Sequence, residues 1–170
     1  STITRADVPL LTPSTTVILG ELLMEAGLPA GVCNIVLGFG DPVGALMTTD
    51  PRVDMVTFTG STGVGKAIVA AAAPTLKKVS LELGGKNPQV IFPDADLDGA
   101  VDAIVFGVYF NAGECCNSGS RIIVHEDVAE EVTARVVALS RKVAFGDPLN
   151  EATKVGAIVS PEHQATIDGY

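Results

Sequence analysis

The stretch FTGSTGVGKAI, residues 58–68, decides how the chain is read. Gly60 to Lys66 has the GxxxxGK spacing of a phosphate loop. Such a loop needs Ser or Thr after the Lys to hold Mg²⁺, and Ala67 stands there. A nucleotide triphosphatase is therefore disfavoured. Taken from Val56, the same residues read as a strand, a tight turn and a helix N-terminus. That order gathers free backbone N–H groups at the positive end of a helix dipole, a place suited to phosphate or pyrophosphate. The glycines serve a plain strand-to-helix turn equally well. The GxGxxG fingerprint is not met, because Ile68 occupies its third glycine position. Gly38 and Gly40 make a second glycine-bearing turn after an earlier apolar run. Two such turns at one sheet edge suit a dinucleotide better than one.

Working outward, helical spacing covers Thr15 to Ala26 and stops at Gly27, with Pro29 beyond. Residues 32–38 and 53–60 read as strands. Pro42 to Thr49 reads as a helix behind Asp41, an N-cap residue type with Pro in the first turn. Ser61 to Ala73 reads as a helix ended by Pro74. Strands follow at 77–83 and 88–92, then a long apolar helix over Asp96 to Phe110. A strand at 120–126, a helix over Val128 to Val143 and a short helix near Pro161 to Ile167 complete the pattern. Strands alternating with helices imply an α/β fold with a largely parallel sheet.

The 170 residues are 47% hydrophobic and 18% charged, enough apolar material for a core. A net charge of −9 repels phosphate backbones and argues against nucleic acid as a partner. No apolar run is long enough to span a bilayer, so no membrane partner is expected. No basic segment precedes an apolar one at the N-terminus, so no secretory signal is expected either. Three cysteines, two of them adjacent, suit a reducing compartment, and the cytoplasm is the expected location.

Two further segments carry chemistry. NAGECCNSGSR (111–121) places Cys115 and Cys116 where a helix breaks. A vicinal disulfide requires a strained ring. A metal site needs more ligands than His125 and His163 supply at their spacing, so no metal is expected. Buried structural thiols and a nucleophile remain, the latter because a thiolate attacks carbonyl carbon well. SLELGG (80–85) offers a partner. Glu82 stands between Leu81 and Leu83, and a poorly solvated carboxylate there would suit a general base. A Glu on the solvent face of an edge strand fits the same residues.

Together these stretches resemble the NAD(P)-dependent aldehyde dehydrogenase superfamily. FTGSTGVG is similar to its cofactor turn, LELGGKNP to its general-base motif and YFNAGECCNSGSR to its nucleophile motif. EAGLPAGVCNIVLGFGDPVG and FPDADLDGAV extend the likeness through nearly the whole chain. The resemblance implies Cys116 as nucleophile, Cys115 as a neighbour without a chemical role, and Glu82 as the base. It places Gly40, Gly60, Ser61, Thr62, Gly63, Val64, Gly65 and Leu83 along NAD or NADP. It implies an aldehyde substrate oxidised to a carboxylic acid, and a water-activating Glu separates this from CoA-acylating chemistry. The implied fold is a partial Rossmann-like parallel sheet (1–83) leading into the start of an α/β catalytic domain (84–170).

Family members are far longer. The resemblance implies an oxyanion-hole Asn upstream, and a ribose-holding Glu and oligomerisation strands downstream, all outside these residues. Asp7-Val8-Pro9-Leu10 stands where the family has a Lys-Pro-Ser-Glu type motif, and Glu114 where many members have Gln. The chain alone is therefore expected to be inactive and to self-associate or need a complementing chain. A non-catalytic remnant or interaction module of the same fold is the competing reading.

Overall fold

The computed structural model describes residues 4–8 and 12–170. The protein is α/β, and it divides into two compact units, Ser1–Glu82 and Leu83–Tyr170.

In the first unit, β1 (Thr4–Val8) and β2 (Cys33–Leu37) pair in parallel, with Thr4 opposite Cys33 and Val8 opposite Leu37. Helix α1 (Ser14–Glu25) connects them and rests on β2. The β1 strand was not foreseen. Asp7 and Val8 fall at its end, whereas Pro9 and Leu10 lie outside the described residues. After β2 the chain makes one wide turn over Gly40–Gly44, and α2 is confined to Ala45–Thr49. The sequence placed this helix start at Pro42, behind an Asp41 cap. Instead Asp41 is extended (φ −116°, ψ 121°), and its side chain caps nothing among the described residues. Lys77, buried at 8% exposure, holds the other end of α2. Its Nζ donates to the carbonyls of Asp50 at 2.7 Å and Met47 at 3.3 Å.

Strand β3 (Met55–Gly60) pairs with β4 (Lys78–Leu83), and α3 (Thr62–Ala72) lies between them in sequence. Gly65, Ile68 and Ala72 form the buried stripe of α3, at helical spacing. The helix packs on α2 and β3. The described pairing forms two-stranded ladders, with one glycine turn following β2 and the other following β3.

The second unit is a βαβα arrangement. Strands β5 (Pro88–Ile91) and β6 (Arg121–Val124) pair in parallel, from Pro88 opposite Arg121 to Ile91 opposite Val124. Helix α4 (Leu97–Tyr109) joins them, and α5 (Glu126–Ser140) packs on α4. Asp96 caps α4, accepting from the N–H groups of Asp98 and Gly99. α5 begins two residues before the sequence suggested, because His125 Nδ1 accepts from the Asp127 N–H at 3.3 Å. Ile91, Ile104 and Val132 form the core, with Leu97, Ile122, Val124, Val128 and Val136 around it. Arg135 links the two helices on the outside, paired with Asp98 of α4 and with Glu131 one turn earlier in α5. Helix α6 (Pro161–Asp168) follows a loop-rich tail and is capped by Ser160 Oγ, which accepts from the His163 N–H.

Ile104 is 1% exposed at the meeting of ladder and helices. Ile104→Ala is expected to lower stability by about 2–5 kcal/mol, the range for emptying such a site. Urea denaturation followed by circular dichroism checks this, and a loss below about 1 kcal/mol would place the core elsewhere.

Candidate active site

The cysteine pair sits on a loop shaped by backbone rather than by packing. α4 ends at Tyr109, and Asn111, Ala112 and Gly113 are then all left-handed, with φ of 51°, 57° and 79°. For Ala112 that region is costly and must be imposed by its surroundings. At Gly113 a side chain is barred twice, by φ and by the Val108 carbonyl 3.1 Å from where a Cβ would lie. The Glu114 N–H donates back to the Asn111 carbonyl at 3.0 Å. The chain then enters a β-turn over Cys115–Ser118, closed by the Ser118 N–H on the Cys115 carbonyl at 3.0 Å.

Cys116 takes the first corner of that turn and is exposed, whereas Cys115 and Cys33 are half-buried. All three are free thiols, so the adjacent pair forms no disulfide. Among the described residues, the Cys116 N–H donates to no protein acceptor. Four hydrogen bonds fasten the loop to β5 and the segment entering it. Asn87 Nδ2 donates to the Cys116 carbonyl at 2.9 Å, and Gln89 Nε2 donates to the Gly119 carbonyl at 2.9 Å. The Arg121 N–H reaches the Asn87 carbonyl at 3.2 Å, and Arg121 Nε reaches that of Lys86 at 2.8 Å. Helix α6 also touches the loop, through His163 Nε2 at 3.2 Å from Glu114 Oε1. The Ser118 hydroxyl oxygen is buried and has no partner among the described residues.

Glu82 lies near the end of β4. Strand alternation turns Leu81 and Leu83 to the half-buried side and leaves Glu82 exposed. The leucines beside it in sequence therefore do not desolvate it in the chain as described. Glu82 belongs to the first unit and Cys116 to the second.

The glycine turn has the predicted strand-turn-helix form. Ser61 is the N-cap of α3, its Oγ accepting from the Val64 N–H at 3.3 Å, and the Ser61 carbonyl accepts from Gly65. The N–H groups of Thr62 and Gly63 then have no acceptor among the described residues. Ser61, Thr62, Gly63 and Val64 are exposed, and Gly65 is buried against the fold. The glycines differ in their reasons. A Cβ at Gly60 would meet the Phe58 ring at 2.4 Å, so Gly60 makes room for its own neighbour. Among the described residues, a Cβ at Gly40 would meet nothing within 4 Å, and one at Gly63 only the Ser61 Oγ at 4.0 Å. Neither Gly40 nor Gly63 has positive φ. Nothing among the described residues demands glycine at these two positions.

Asn87 was not singled out from the sequence. GGKNP marks a turn before a strand, but it does not show that the Asn amide meets a carbonyl 29 residues later.

The fold and loop define an α/β protein with a thiol-bearing turn and a glycine turn opening a helix. Residues 8–170 match the aldehyde dehydrogenase family, and the chain belongs to it. It is 41% identical over 160 residues to betaine aldehyde dehydrogenase of Bacillus subtilis, covering 94% of this chain and 33% of that protein. It is 49% identical over 146 residues to human retinaldehyde dehydrogenase 3, covering 85% of this chain and 28% of that one. Among solved structures, an NAD-dependent aldehyde dehydrogenase from Sinorhizobium meliloti superposes with a TM-score of 0.93 at 52% identity, covering 98% of this chain and 33% of that chain. Betaine aldehyde dehydrogenase from Staphylococcus aureus, in complex with NAD⁺, gives 0.93 at 38% identity, with 98% and 33% covered. The chain thus spans about a third of the length of the relatives it matches.

Cys116 is expected to be the fastest-labelled thiol with iodoacetamide, being the exposed one of the three. Mass-spectrometric mapping after limited alkylation reads this, and earlier labelling of Cys33 or Cys115 would contradict it.

Proposed function

We propose that this chain supplies the nucleophile, the general base and part of the cofactor site of an enzyme that oxidises aldehydes to carboxylic acids with NAD or NADP. One observation carries the reading. Within a chain that belongs to the aldehyde dehydrogenase family, Cys116 is an exposed free thiol at a turn corner with its N–H unpartnered among the described residues.

The dinucleotide reading draws support from the glycine turn. The N–H groups of Thr62 and Gly63 face no protein acceptor among the described residues, at the positive end of α3. Gly40 and Gly63 leave space that a Cβ would fill, without a need from the other described residues. Gly40, Gly60, Ser61, Thr62, Gly63, Val64, Gly65 and Leu83 are the proposed contacts. When bound, the dinucleotide supplies the acceptor for the hydride that leaves the substrate carbon.

The chain's own residues carry the remaining steps. The Cys116 thiolate attacks the aldehyde carbon, the S–C bond forms, and the carbonyl oxygen becomes an oxyanion. The Cys116 N–H donates to that oxyanion. Loss of hydride from the thiohemiacetal leaves a thioester on Cys116. Glu82 takes a proton from water as that water attacks the thioester, which releases the acid and restores the thiolate. Exposure of Glu82 gives it access to water.

In an enzyme carrying this segment, Glu82→Gln is expected to spare acyl-enzyme formation and slow hydrolysis by ~10²–10⁴-fold. Stopped-flow absorbance with NAD⁺ or NADP⁺ and an aldehyde should then show a burst of reduced cofactor followed by slow turnover. An absent burst with unchanged steady-state rate would assign Glu82 another role. Failure of the unaltered enzyme to bind either dinucleotide in a fluorescence titration would overturn the proposed function itself.

The partner reading rests on exposed apolar side chains. Ile18, Leu22 and Met24 of α1 are 52%, 54% and 69% exposed, and α1 buries no residue. An uncovered helix of this kind seeks apolar cover. The purified 170-residue chain is expected to self-associate or to require a complementing chain. Sedimentation velocity decides this, and a monodisperse monomer at tens of micromolar would contradict it.

A further inference from the structure

We propose that Asn87 is a positioning residue for Cys116: by pinning the second of its two flanking peptide planes it locks the Cα–Cβ direction against the Cys116 N–H, which the turn sets. The inference rests on the reading of Cys116 as nucleophile.

A peptide unit is planar, so holding its carbonyl also sets the N–H of the next residue. The plane between Cys115 and Cys116 is held by the turn, through the Ser118 N–H on the Cys115 carbonyl at 3.0 Å. The Cys116 N–H, on the opposite side of that plane, therefore faces away from the turn interior. The plane between Cys116 and Asn117 is held by Asn87 Nδ2 on the Cys116 carbonyl at 2.9 Å. With both planes fixed, φ and ψ at Cys116 are fixed, and the direction of Cα–Cβ relative to the N–H is fixed with them. Without Asn87, only the turn restrains the residue.

Asn87 is itself held. Its carbonyl accepts from the Arg121 N–H at 3.2 Å, and the preceding Lys86 carbonyl accepts from Arg121 Nε at 2.8 Å. The next residue, Pro88, starts the parallel ladder opposite Arg121. The approach is close enough to limit the neighbouring residue. A Cβ on Gly85 would lie 3.0 Å from the Cys116 carbonyl oxygen. Gly85 and Asn87 thus meet the same carbonyl, one by yielding space and one by donating a hydrogen.

The test compares two reactions of one thiol. With p-nitrophenyl acetate the thiolate bonds to the acetyl carbon, the carbonyl oxygen takes up the charge, and the C–O bond breaks to release p-nitrophenolate. That route forms an oxyanion for the Cys116 N–H to meet. With iodoacetamide the thiolate displaces iodide and no oxyanion forms. The ratio of acylation to alkylation at Cys116, mapped by mass spectrometry, reports how the side chain lines up with the N–H and cancels any change in thiolate fraction. Asn87→Leu keeps shape and adds no charge. It is expected to lower the ratio by on the order of 10- to 100-fold, as for a displaced reacting group, and to move the ¹³C shift of the Cys116 carbonyl. Gly85→Ala presses on the same carbonyl, is expected to lower the ratio likewise, and carries the test should Asn87→Leu fail to fold. Gln89→Met releases the Gly119 carbonyl but neither plane at Cys116, and should leave the ratio unchanged.

An unmoved ratio in the folded Asn87 or Gly85 variant overturns the inference. So does an equal fall in Gln89→Met, which would mark general loosening of the loop. Acylation of Cys33 or Cys115 ahead of Cys116 in the unaltered chain would remove the nucleophile assignment as well. Cys116 reacting first with an unmoved ratio would sink the positioning role alone.

Discussion

The parallel register that sets Pro88 against Arg121 governs the second unit. Proline has no N–H to give a ladder, so it suits the first position of a strand. Everything before it is free to serve as a loop, and residues 85–87 reach toward 116–121. Everything after it alternates, which brings Ile91 into the core with Ile104 and Val132. A slip of one residue would reverse both outcomes. Burial of the aliphatic core and placement of the thiol loop are thus set by one pairing.

In the first unit the comparable constraint is the small stripe on α3. Gly65 and Ala72 flank Ile68 and let the helix lie close to α2 and β3. That close packing fixes where the helix begins, and Ser61 caps the start it fixes. The exposed residues of the first turn are then displayed rather than packed. Which residues are small for packing and which for reach is a distinction the coordinates draw, with Gly65 and Gly60 in one class and Gly40 and Gly63 in the other.

Much of this was legible in the sequence, for identifiable reasons. β3 alternates cleanly, with Val56, Phe58 and Gly60 turned inward. The sequence began α3 at Ser61 and α4 at Asp96, and these two residues cap the helices. The sequence misjudged elements whose determinants are conformational or distant. Asp41 looked like a cap, but its extended backbone keeps it inside a wide turn. His125 did cap a helix, a role its residue type does not announce. β1 depends on pairing with a partner strand 29 positions on, from Thr4 to Cys33. Cys116 and Glu82 were singled out by motif. Their surroundings were not, because Glu82 takes its exposure from strand alternation and Cys116 its setting from Asn87. The left-handed run over Asn111–Gly113 was signalled by Gly113 alone.

Lys77 adds a consequence of another kind. Its amine is buried and committed to two carbonyls at the end of α2. Lys66, Lys78 and Lys86 are exposed. A reagent that modifies free amines would therefore leave Lys77 unmodified while α2 stays in place. One position in the peptide map would then act as a built-in seal on the first unit, broken only when that unit opens.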